Sequence, residues 1–421
     1  MKILVVGSGG REHAIAWKLS QSPRCTALYA TRPNAGMAGL AEAVDLDVTD
    51  IDGLLDFAQR VGIELTVVGP ELPLTLGIVD RFEKAGLAIW GPSREAARLE
   101  GSKAFAKAMM ARAGVPTAEW MSFDSLEPAI RWVHEFGKPV VVKADGLAAG
   151  KGVVLCHDTK SAVEALRGMM NEGAFGTAGA RVVVEELLLG EEVSFIALCD
   201  GETIQPLASS QDHKRIGEGD TGPNTGGMGA YSPAPILPHE HEQLIIETVM
   251  EPVLSELARD GHVFKGFLYA GLMLTADGPK VLEFNVRLGD PETQPLMMRL
   301  KTDLVELLWA GSTGHLKDVE LEWDQRPAMC VVCASAGYPA SSTKGDMIEG
   351  LKEAGAVSDV VVFHAGTRSA GDDAIVNGGR VLGVTALGES LSDARRAAYE
   401  AVNKISWPGM QVRRDIGWRA L

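Results

Sequence analysis

Short apolar runs alternate with amphipathic segments over roughly the first 100 residues. Four runs have the length and the branched side chains of buried strands: Ile3–Val6, Thr26–Ala30, Leu65–Val68 and Ala88–Trp90. Three segments between them have helical periodicity: Glu12–Gln21, Ile51–Val61 and Leu76–Ala85. Alternation of this kind implies crossover helices that place the strands parallel in one sheet. The sequence therefore predicts an open α/β domain at the N-terminus.

A glycine-rich turn follows the first of these strands, at Gly7 to Gly10. The N–H groups at the start of a helix bind anions, so this junction favours a phosphate. A dinucleotide fingerprint would need a third glycine where this chain has Glu12, and an acid after the second strand where it has Arg32. The turn therefore favours a phosphate on a smaller substrate over a nicotinamide cofactor, with a purely structural turn as the alternative.

The segment from Lys143 to Gly152 predicts a second anion site. Its sequence, KADGLAAGKG, lies between two apolar runs and therefore forms the turn of a strand hairpin. Glycine N–H groups and two lysines suit a nucleoside triphosphate. It is not a Walker A loop, because only three residues separate Gly146 from Gly150 and no Ser or Thr follows Lys151. A surface turn is the alternative interpretation.

Length and charge limit the class of protein. A chain of 421 residues is too long for one ordinary core and predicts about two to four domains. The net charge of −16 argues against nucleic acid and membrane surfaces as partners. No apolar run approaches the ~20 residues of a membrane span, and no signal peptide precedes the first strand. We expect a cytoplasmic protein with neither a nucleic-acid nor a membrane partner.

The five cysteines are scattered and odd in number, which is typical of reduced thiols. Cys330 and Cys333 have the CxxC spacing of many metal and redox sites. They lie in an apolar run that predicts a buried strand, where residues three apart point to opposite faces. We therefore expect no shared ligand between them.

Acidic residues complete the candidate site in two places. The strand that ends in Glu185 and Glu186 can offer main-chain groups to an adenine edge, with a solvated sheet edge as the alternative. Further along, Glu283 and Asn285 point to the same side of a strand. Two hard oxygen ligands at this spacing suit Mg²⁺ together with phosphates and waters. A plain polar strand face is the alternative for this pair.

Two loops carry further polar groups. After the predicted metal pair, Arg287 offers a planar fork for a carboxylate or phosphate, and Asp290 and Glu292 are spaced to orient an amine or a metal-bound water. The long glycine-rich segment 212–233 begins with a basic cluster that suits a substrate phosphate. A loop of this length is usually functional or disordered. Within it, His213 is either a base or an ordinary surface histidine.

Four segments together resemble the phosphoribosylamine–glycine ligase family of the ATP-grasp superfamily. They are GSGGREH at 7–13, KADGLAAGKG at 143–152, the loop 213–233 and RLGDPETQ at 287–294. The resemblance runs from residue 1 to residue 417 and implies no fused second enzyme. It implies that ATP phosphorylates the carboxylate of glycine. The amine of 5-phosphoribosylamine then displaces phosphate, giving glycinamide ribonucleotide in purine synthesis.

The resemblance also implies the fold and the cofactors. It implies a multidomain α/β and α+β protein: an N-terminal parallel-sheet domain at 1–101, an ATP-grasp core of two subdomains at 102–325, and a small α+β domain at 326–421. Residues 120–190 would form a mobile lid over ATP. The resemblance further implies Mg²⁺ or Mn²⁺, and we expect a monomer. Two alternatives remain: an ATP-grasp ligase for a different acid, and a nucleotide-binding protein without catalysis.

Residue roles follow from the same resemblance. Catalysis would involve Arg287, Asp290 and Lys143, and the metal would be held by Glu283 and Asn285. ATP would contact Lys103, Lys143, Gly146, Gly150, Lys151, Gly152, Glu185, Glu186, Leu187, Leu188 and Glu192, with Glu185 and Leu187 at adenine and Glu192 at the ribose. Phosphoribosylamine would contact Gly9, Gly10, Arg11, Glu12, Asp212, Lys214, Thr225, Gly226, Gly227 and Met228. Segment 268–272 lacks an acid that many ATP-grasp ligases carry there, so a second metal would rely on phosphates and Glu283.

Overall fold

A five-stranded parallel sheet forms the N-terminal domain of the computed structural model, which describes residues 1–148, 152–171 and 176–421. Its strands are β1 (Lys2–Val6), β2 (Ala27–Thr31), β3 (Glu42–Val44), β4 (Leu65–Val68) and β5 (Ile89–Trp90). Its helices are α1 (Gly10–Leu19), α2 (Ile51–Val61), α3 (Glu71–Thr75), α4 (Ile78–Lys84) and α5 (Arg98–Gly101). The spatial order β3-β2-β1-β4-β5 confirms the predicted open parallel sheet. Because the order reverses beside β1, the turn before α1 lies at a switch point, where ligands bind in such sheets.

The described part of residues 120–186, which make up most of the predicted lid (120–190), is a small antiparallel sheet with two helices; we call it the lid subdomain. It follows α6 (Lys103–Ala113) and contains β6 (Trp120–Phe123), α7 (Leu126–Phe136), β7 (Val140–Ala144), β8 (Val153–Cys156), α8 (Thr159–Met170) and β9 (Val182–Glu186). The strand order is β6-β9-β7-β8, and β7 and β8 are the two arms of the predicted hairpin. Val133, Leu166 and Val184 belong to an apolar core that is separate from the other cores. The predicted mobility of this subdomain stays a prediction.

Residues 191–312 follow the lid subdomain along the chain and supply the central sheet. The strands are β10 (Glu191–Cys199), β11 (Ile204–Pro206), β12 (Gln211–Asp212), β13 (Arg215–Gly217), β14 (Thr221–Asn224), β15 (Gly229–Ser232), β16 (Gly266–Thr275) and β17 (Gly278–Asn285). The helices are α9 (His239–Ile245), α10 (Glu251–Arg259), α11 (Thr293–Arg299) and α12 (Leu304–Ser312), with a π-helical turn between α9 and α10. Four strands make the antiparallel central sheet, in the order β11-β10-β16-β17.

The C-terminal domain is built on a six-stranded sheet. It supplies β18 (Ala328–Ala334), α13 (Leu351–Gly355), β19 (Val360–His364), β20 (Thr367–Ala370), β21 (Asp373–Val376), β22 (Arg380–Leu387), α14 (Leu391–Val402) and β23 (Gln411–Val412). The sheet order is β12-β15-β18-β22-β19, with β23 on β18, while β20 and β21 form a hairpin. The glycine-rich segment 212–233 is therefore ordered, because β12 and β15 pair into this sheet and β13 pairs with β14.

Two general features of the chain bear on function. The five cysteines are free thiols, and Cys330 and Cys333 lie on the buried strand β18. In the described ranges, every helix is too short or too polar to cross a membrane.

Candidate functional site

A cavity of about 440 Å³ opens between the lid subdomain, the central sheet and the N-terminal domain. We call it the central cavity. Most residues assigned from the resemblance line it: Arg11, Lys103, Lys143, Gly152, Glu185, Glu186, Leu187, Leu188, Glu192, Asp212, Lys214, Thr225, Gly226, Glu283, Asn285, Arg287 and Asp290. They come from separate elements, so the cavity exists only when these parts are packed together.

Lys143 and Glu185 form the lid side of the central cavity. Antiparallel pairing of β7 with β9 sets Lys143 opposite Val183, and Glu185 points to the same face two residues further. Lys143 Nζ forms an ion pair with Glu185 and donates to the carbonyl of Leu282 at 2.9 Å. The buried Glu185 carboxylate also contacts Lys107 Nζ at 2.5 Å. The Glu185 side chain is therefore engaged by two lysines, and Lys107 was missed because a helical lysine normally indicates a solvated face.

The chain after β9 forms the wall that was predicted to meet adenine. Leu187 donates its N–H to the carbonyl of Pro139 at 3.1 Å, and Glu186 donates to the carbonyl of Glu119 at 2.8 Å. These two N–H groups are thus used inside the protein. A base in this part of the cavity would have to meet other groups of the segment, such as its carbonyls or the main chain of Leu188.

Glu192, predicted to meet the ribose, lies at the start of β10. Its carboxylate forms an ion pair with Lys214 Nζ at 2.8 Å. Asp212 lies two residues before this lysine and is buried. Burial raises the pKa of Asp212 to about 7, although Lys214 acts in the opposite direction. The structure therefore joins an expected nucleotide residue to the expected substrate residues of β12 and the glycine-rich loop.

The two residues predicted to bind the metal, Glu283 and Asn285, lie on β17. Glu283, Phe284 and Asn285 all line the cavity, and the side chain of Phe284 also packs in the core. Burial alone would raise the pKa of Glu283, but the charges of Lys103 and Lys214 lower it to about 2. The carboxylate is therefore ionised at neutral pH, as a metal ligand must be.

Glu283 and Asn285 together suit a divalent cation that also binds the phosphates of a nucleotide. Among the described residues, no cluster of three or more His, Cys, Asp or Glu side chains is placed to hold a metal alone. Mg²⁺ commonly takes one or two protein oxygens and completes its shell with phosphates and waters. Asn285 Oδ1 accepts a hydrogen bond from Arg287 at 3.0 Å, which fixes the orientation of the amide.

Arg287 is held by two carboxylates that the sequence analysis did not identify. Its Nη2 donates to Glu100 at 2.7 Å, and its Nε lies 3.4 Å from a carboxylate oxygen of Glu71. Burial opposes the charge, but Glu100 and Glu71 outweigh it and raise the pKa of Arg287 above its usual value. Glu100 also accepts from the N–H of Val286 at 2.8 Å. The guanidinium is therefore fixed at the wall of the central cavity.

A second cavity, of about 780 Å³, lies between the turn after β1 and the C-terminal domain. Gly9 and Gly10 line it, as do Arg32 and Arg368. Its lining also includes Asp290 and Arg380, which line the central cavity as well. Arg380 Nη2 lies 3.2 Å from Asp290 Oδ2. The two cavities therefore meet at this ion pair.

Gly10 is closely packed at this junction. A Cβ atom at position 10 would lie 2.7 Å from Nε2 of Gln294. Gln294 in turn donates to Asp290 at 2.8 Å. The absence of a side chain at Gly10 thus lets the RLGDPETQ segment approach the turn after β1.

Three residues assigned to phosphoribosylamine support the cavity walls. Glu12 is buried and accepts from the N–H of Gly9 and from Arg11 Nε, both at 2.6 Å. Met228 is fully buried, and Gly227 has a φ of +114° and packs closely against a proline. None of the three lines the central cavity or the second cavity. Their geometry indicates that they position neighbouring groups.

The hairpin turn is described only in part. Gly152 lines the central cavity, whereas Gly146 lines a separate cavity of about 570 Å³. Gly150 and Lys151 lie outside the described residues. Their predicted contact with phosphates stays a prediction.

His213 is fully buried, so the interpretation as a surface histidine is wrong. Its Nε2 accepts a hydrogen bond from the N–H of Gly417 at 3.1 Å. Burial and the nearby Arg419 lower the pKa of His213 to about 4. The side chain faces the C-terminal segment and has a packing role there.

The fold agrees with the comparisons. Three family models match in order: "Phosphoribosylglycinamide synthetase, N domain" over residues 1–100, "ATP-grasp (A) domain" over 101–293 and "C domain" over 328–419. The chain belongs to the phosphoribosylglycinamide synthetase family. It is therefore an ATP-grasp ligase with the N, A and C domains of that family.

Curated relatives support the same membership along the whole chain. A phosphoribosylamine–glycine ligase from Yersinia pestis is 53% identical over 425 residues, covering 100% of this chain and 99% of the relative. One from Allochromatium vinosum is 56% identical over 424 residues, with the same coverage.

Solved structures show the same architecture. The phosphoribosylamine–glycine ligase of Thermotoga maritima has a TM-score of 0.86 at 32% identity, covering 99% of this chain and all of that one. The biotin carboxylase domain of a Hydrogenobacter thermophilus carboxylase, solved with MgADP, has a TM-score of 0.75 at 17% identity, covering 98% of this chain and 91% of that one. This second similarity concerns the fold alone.

Proposed function

We propose that the chain joins glycine to 5-phosphoribosylamine with ATP, giving glycinamide ribonucleotide, ADP and phosphate. Family membership supports this reaction, and one structural observation supports it further. A cavity lined by lysines, a metal pair and a fixed arginine meets a second, arginine-lined cavity at Asp290 and Arg380. A ligase needs this arrangement, because an activated acid and an amine must come together while water is excluded.

We assign the nucleotide to the central cavity. Lys103 and Lys143 would meet its phosphates, while the hairpin between β7 and β8 would cover them. The segment from Glu185 to Leu188 would meet the base, with Glu185 acting through its two lysines. Phosphoryl transfer depends on charge neutralisation and alignment, and this cavity supplies both without a nucleophilic side chain.

Glu283 and Asn285 would hold the divalent metal. Such an ion would neutralise the phosphates during transfer, and its identity as Mg²⁺ or Mn²⁺ stays a prediction. Arg287 would bind the carboxylate of glycine or the acyl phosphate, because its guanidinium group is held in place by Glu71 and Glu100.

The amide bond would form where the two cavities meet. A glycine carboxylate oxygen attacks the terminal phosphorus of ATP, and ADP leaves. The amine of phosphoribosylamine then attacks the acyl carbon, a proton leaves the nitrogen, and phosphate departs. The second cavity suits the sugar phosphate, because Arg368 supplies positive charge there, alongside the N-terminus of α1. Arg32 also lines this cavity, where it forms ion pairs with Asp45 and Asp47. Asp290 would orient the amine.

The direct test is phosphate release from MgATP with glycine, with and without freshly generated phosphoribosylamine. We expect release that requires both substrates, and a product with the mass of glycinamide ribonucleotide. Alanine and β-alanine in place of glycine are the control acids. Release with another acid but not with glycine would point to a different ligase. ATP binding without turnover on any acid would point to a non-catalytic protein. Monomeric assembly and a cytoplasmic location stay predictions.

A further inference from the structure

A second lysine lies behind the lid wall of the central cavity. Lys107, on α6, is only 2% exposed. Its Nζ lies 2.5 Å from Glu185 Oε2 and donates to Thr117 Oγ1 at 2.6 Å. The Thr117 hydroxyl donates to the carbonyl of Val281 at 2.6 Å, next to the metal-binding end of β17. The ammonium is thus held at a fixed place between α6, the lid sheet and β17.

Lys107, Glu185 and Lys143 form a buried row of alternating charges. Glu185 is contacted by one lysine at each carboxylate oxygen. Lys143 and Glu185 line the central cavity, whereas Lys107 stands behind them. The row has a net charge of +1, and Lys143 is the cation at the cavity wall.

This arrangement decides what Lys143 is free to do. A buried carboxylate that loses its only counter-ion is strongly destabilised. If Lys143 were the sole partner of Glu185, turning towards a phosphate would leave that carboxylate uncompensated. With Lys107 in place, Glu185 keeps a cation at 2.5 Å whatever Lys143 contacts.

We propose that Lys107 is a positioning residue that keeps Glu185 neutralised and so frees Lys143 to bind the nucleotide phosphates. The inference rests on the proposed function only in placing the nucleotide in the central cavity.

The charge states of the row agree with this role. Burial lowers the pKa of Lys107 to about 8, with Glu185 acting in the opposite direction. The ammonium therefore persists at neutral pH. Burial alone would raise the pKa of Glu185, but Lys143 and Lys107 outweigh it and lower the pKa below its usual value. The carboxylate is thus ionised and needs a permanent partner.

The test is equilibrium binding of MgADP and of a non-hydrolysable MgATP analogue by calorimetry. Lys107→Met keeps the length of the side chain and removes its charge. We expect it to raise the Kd of both nucleotides by about tenfold or more, because Lys143 is drawn to Glu185. In steady-state assays KM for ATP should rise, while KM for glycine should change by less than about twofold. The matched control is Lys84→Met on the exposed face of α4, which removes the same charge and should leave Kd unchanged.

The decisive variant is the double substitution Lys107→Met with Glu185→Gln. It removes the carboxylate that would capture Lys143, so its Kd should lie within about threefold of that of Glu185→Gln alone. A purely structural role predicts that the second substitution weakens binding further. That outcome, or an unchanged Kd in Lys107→Met, would overturn the proposal.

The same experiment remains informative in two difficult cases. If Lys107→Met does not fold, the double variant is compared with Glu185→Gln instead. Equal Kd values in these two proteins would support the proposal. A Kd about tenfold higher in the double variant would contradict it. Failure of the proposed function is separately visible, because nucleotide binding does not require turnover of glycine. A protein that binds MgADP but makes no product would contradict the ligase assignment and leave the role of Lys107 standing.

Discussion

Individual side chains in the site are controlled by partners that are distant in sequence. Arg287 is a clear case. Its position in RLGDPETQ indicates an anion-binding fork, but the two acids that hold it come from α3 and from the end of α5. Glu185 is similar, since an acid at the end of a strand is usually solvated, yet here it is buried between two lysines. Residue identity predicts the chemistry, and the neighbours decide how it is used.

At the same scale, Glu283→Gln tests the metal pair. The substitution keeps the size of the side chain and removes the ionised oxygen that the nearby lysines stabilise. We expect kcat/KM for ATP to fall by about 100-fold or more, because transition-state charge is less well neutralised. Raising the divalent cation concentration should recover part of the activity. Glu202→Gln, at an exposed turn, is the control and should behave like the starting protein. An unchanged metal dependence in Glu283→Gln would remove this residue from the metal site.

Elements of the nucleotide-binding region are tied together at their ends. Asp145, at the base of the lid hairpin, accepts from the N–H of Ala104 at 2.7 Å and from Ser102 Oγ at 3.0 Å. The N–H of Lys103 donates to the carbonyl of Asp145. The hairpin is thus joined to the first turn of α6. Because Lys103 begins that helix, the order of α6 and the position of this lysine, which is predicted to bind phosphate, are linked.

The cap of α6 can be tested separately. Ser102 is its N-cap and accepts from the N–H of Phe105 at 3.1 Å. Ser102→Ala should lower the free energy of unfolding by about 1 kcal/mol, a typical value for loss of an N-cap. Ser125 is the N-cap of α7 but makes no side-chain cap hydrogen bond in the described structure. Ser125→Ala is therefore the matched control and should change stability by less than about 0.5 kcal/mol. Thermal unfolding would measure both, and equal losses would contradict the capping role.

The whole molecule is held together by contacts between its domains. His213, in the glycine-rich segment, accepts a hydrogen bond from the N–H of Gly417 in the C-terminal segment. His13, on α1, accepts from the N–H of His364 at the end of β19, joining the N-terminal and C-terminal domains. Burial lowers the pKa of His13 to about 3 and that of His364 to about 4. The buried histidines His13 and His213 therefore lie at two contacts between domains.

This distribution predicts sensitivity to acid. The folded pKa of His213 is about 4, below the value of ~6.5 in an unfolded chain. The unfolded state therefore binds a proton that the folded state does not, so stability is full above pH 6.5 and is lost as the pH falls from there towards 4. From this residue we expect a loss of about 1–2 kcal/mol between pH 7 and pH 5. His213→Gln keeps an acceptor for the N–H of Gly417. It should reduce the pH dependence of the free energy of unfolding, measured by urea denaturation. His134→Gln, at an exposed position of α7, should leave it unchanged. A slope unaltered by His213→Gln would show that this histidine is not the source.

The sequence by itself determined the chemistry of this protein and the order of its domains. The apolar runs and helical periodicity of the first 100 residues predict β1, α2 and β4, because burial follows directly from such local patterns. Glycine turns, the Glu283–Asn285 spacing and the 287–294 segment predicted a nucleotide, a metal and a ligase of this family.

Only the tertiary structure decided which groups contact one another. Several features depend on distances between segments that are far apart in the chain. They are the pairing of Lys107 with Glu185, the ion pairs of Arg287, the burial of His213, the addition of β12 and β15 to the C-terminal sheet, and the meeting of two cavities at Asp290 and Arg380. Such distances are set by packing and by the need to pair buried charges, and no local pattern encodes them.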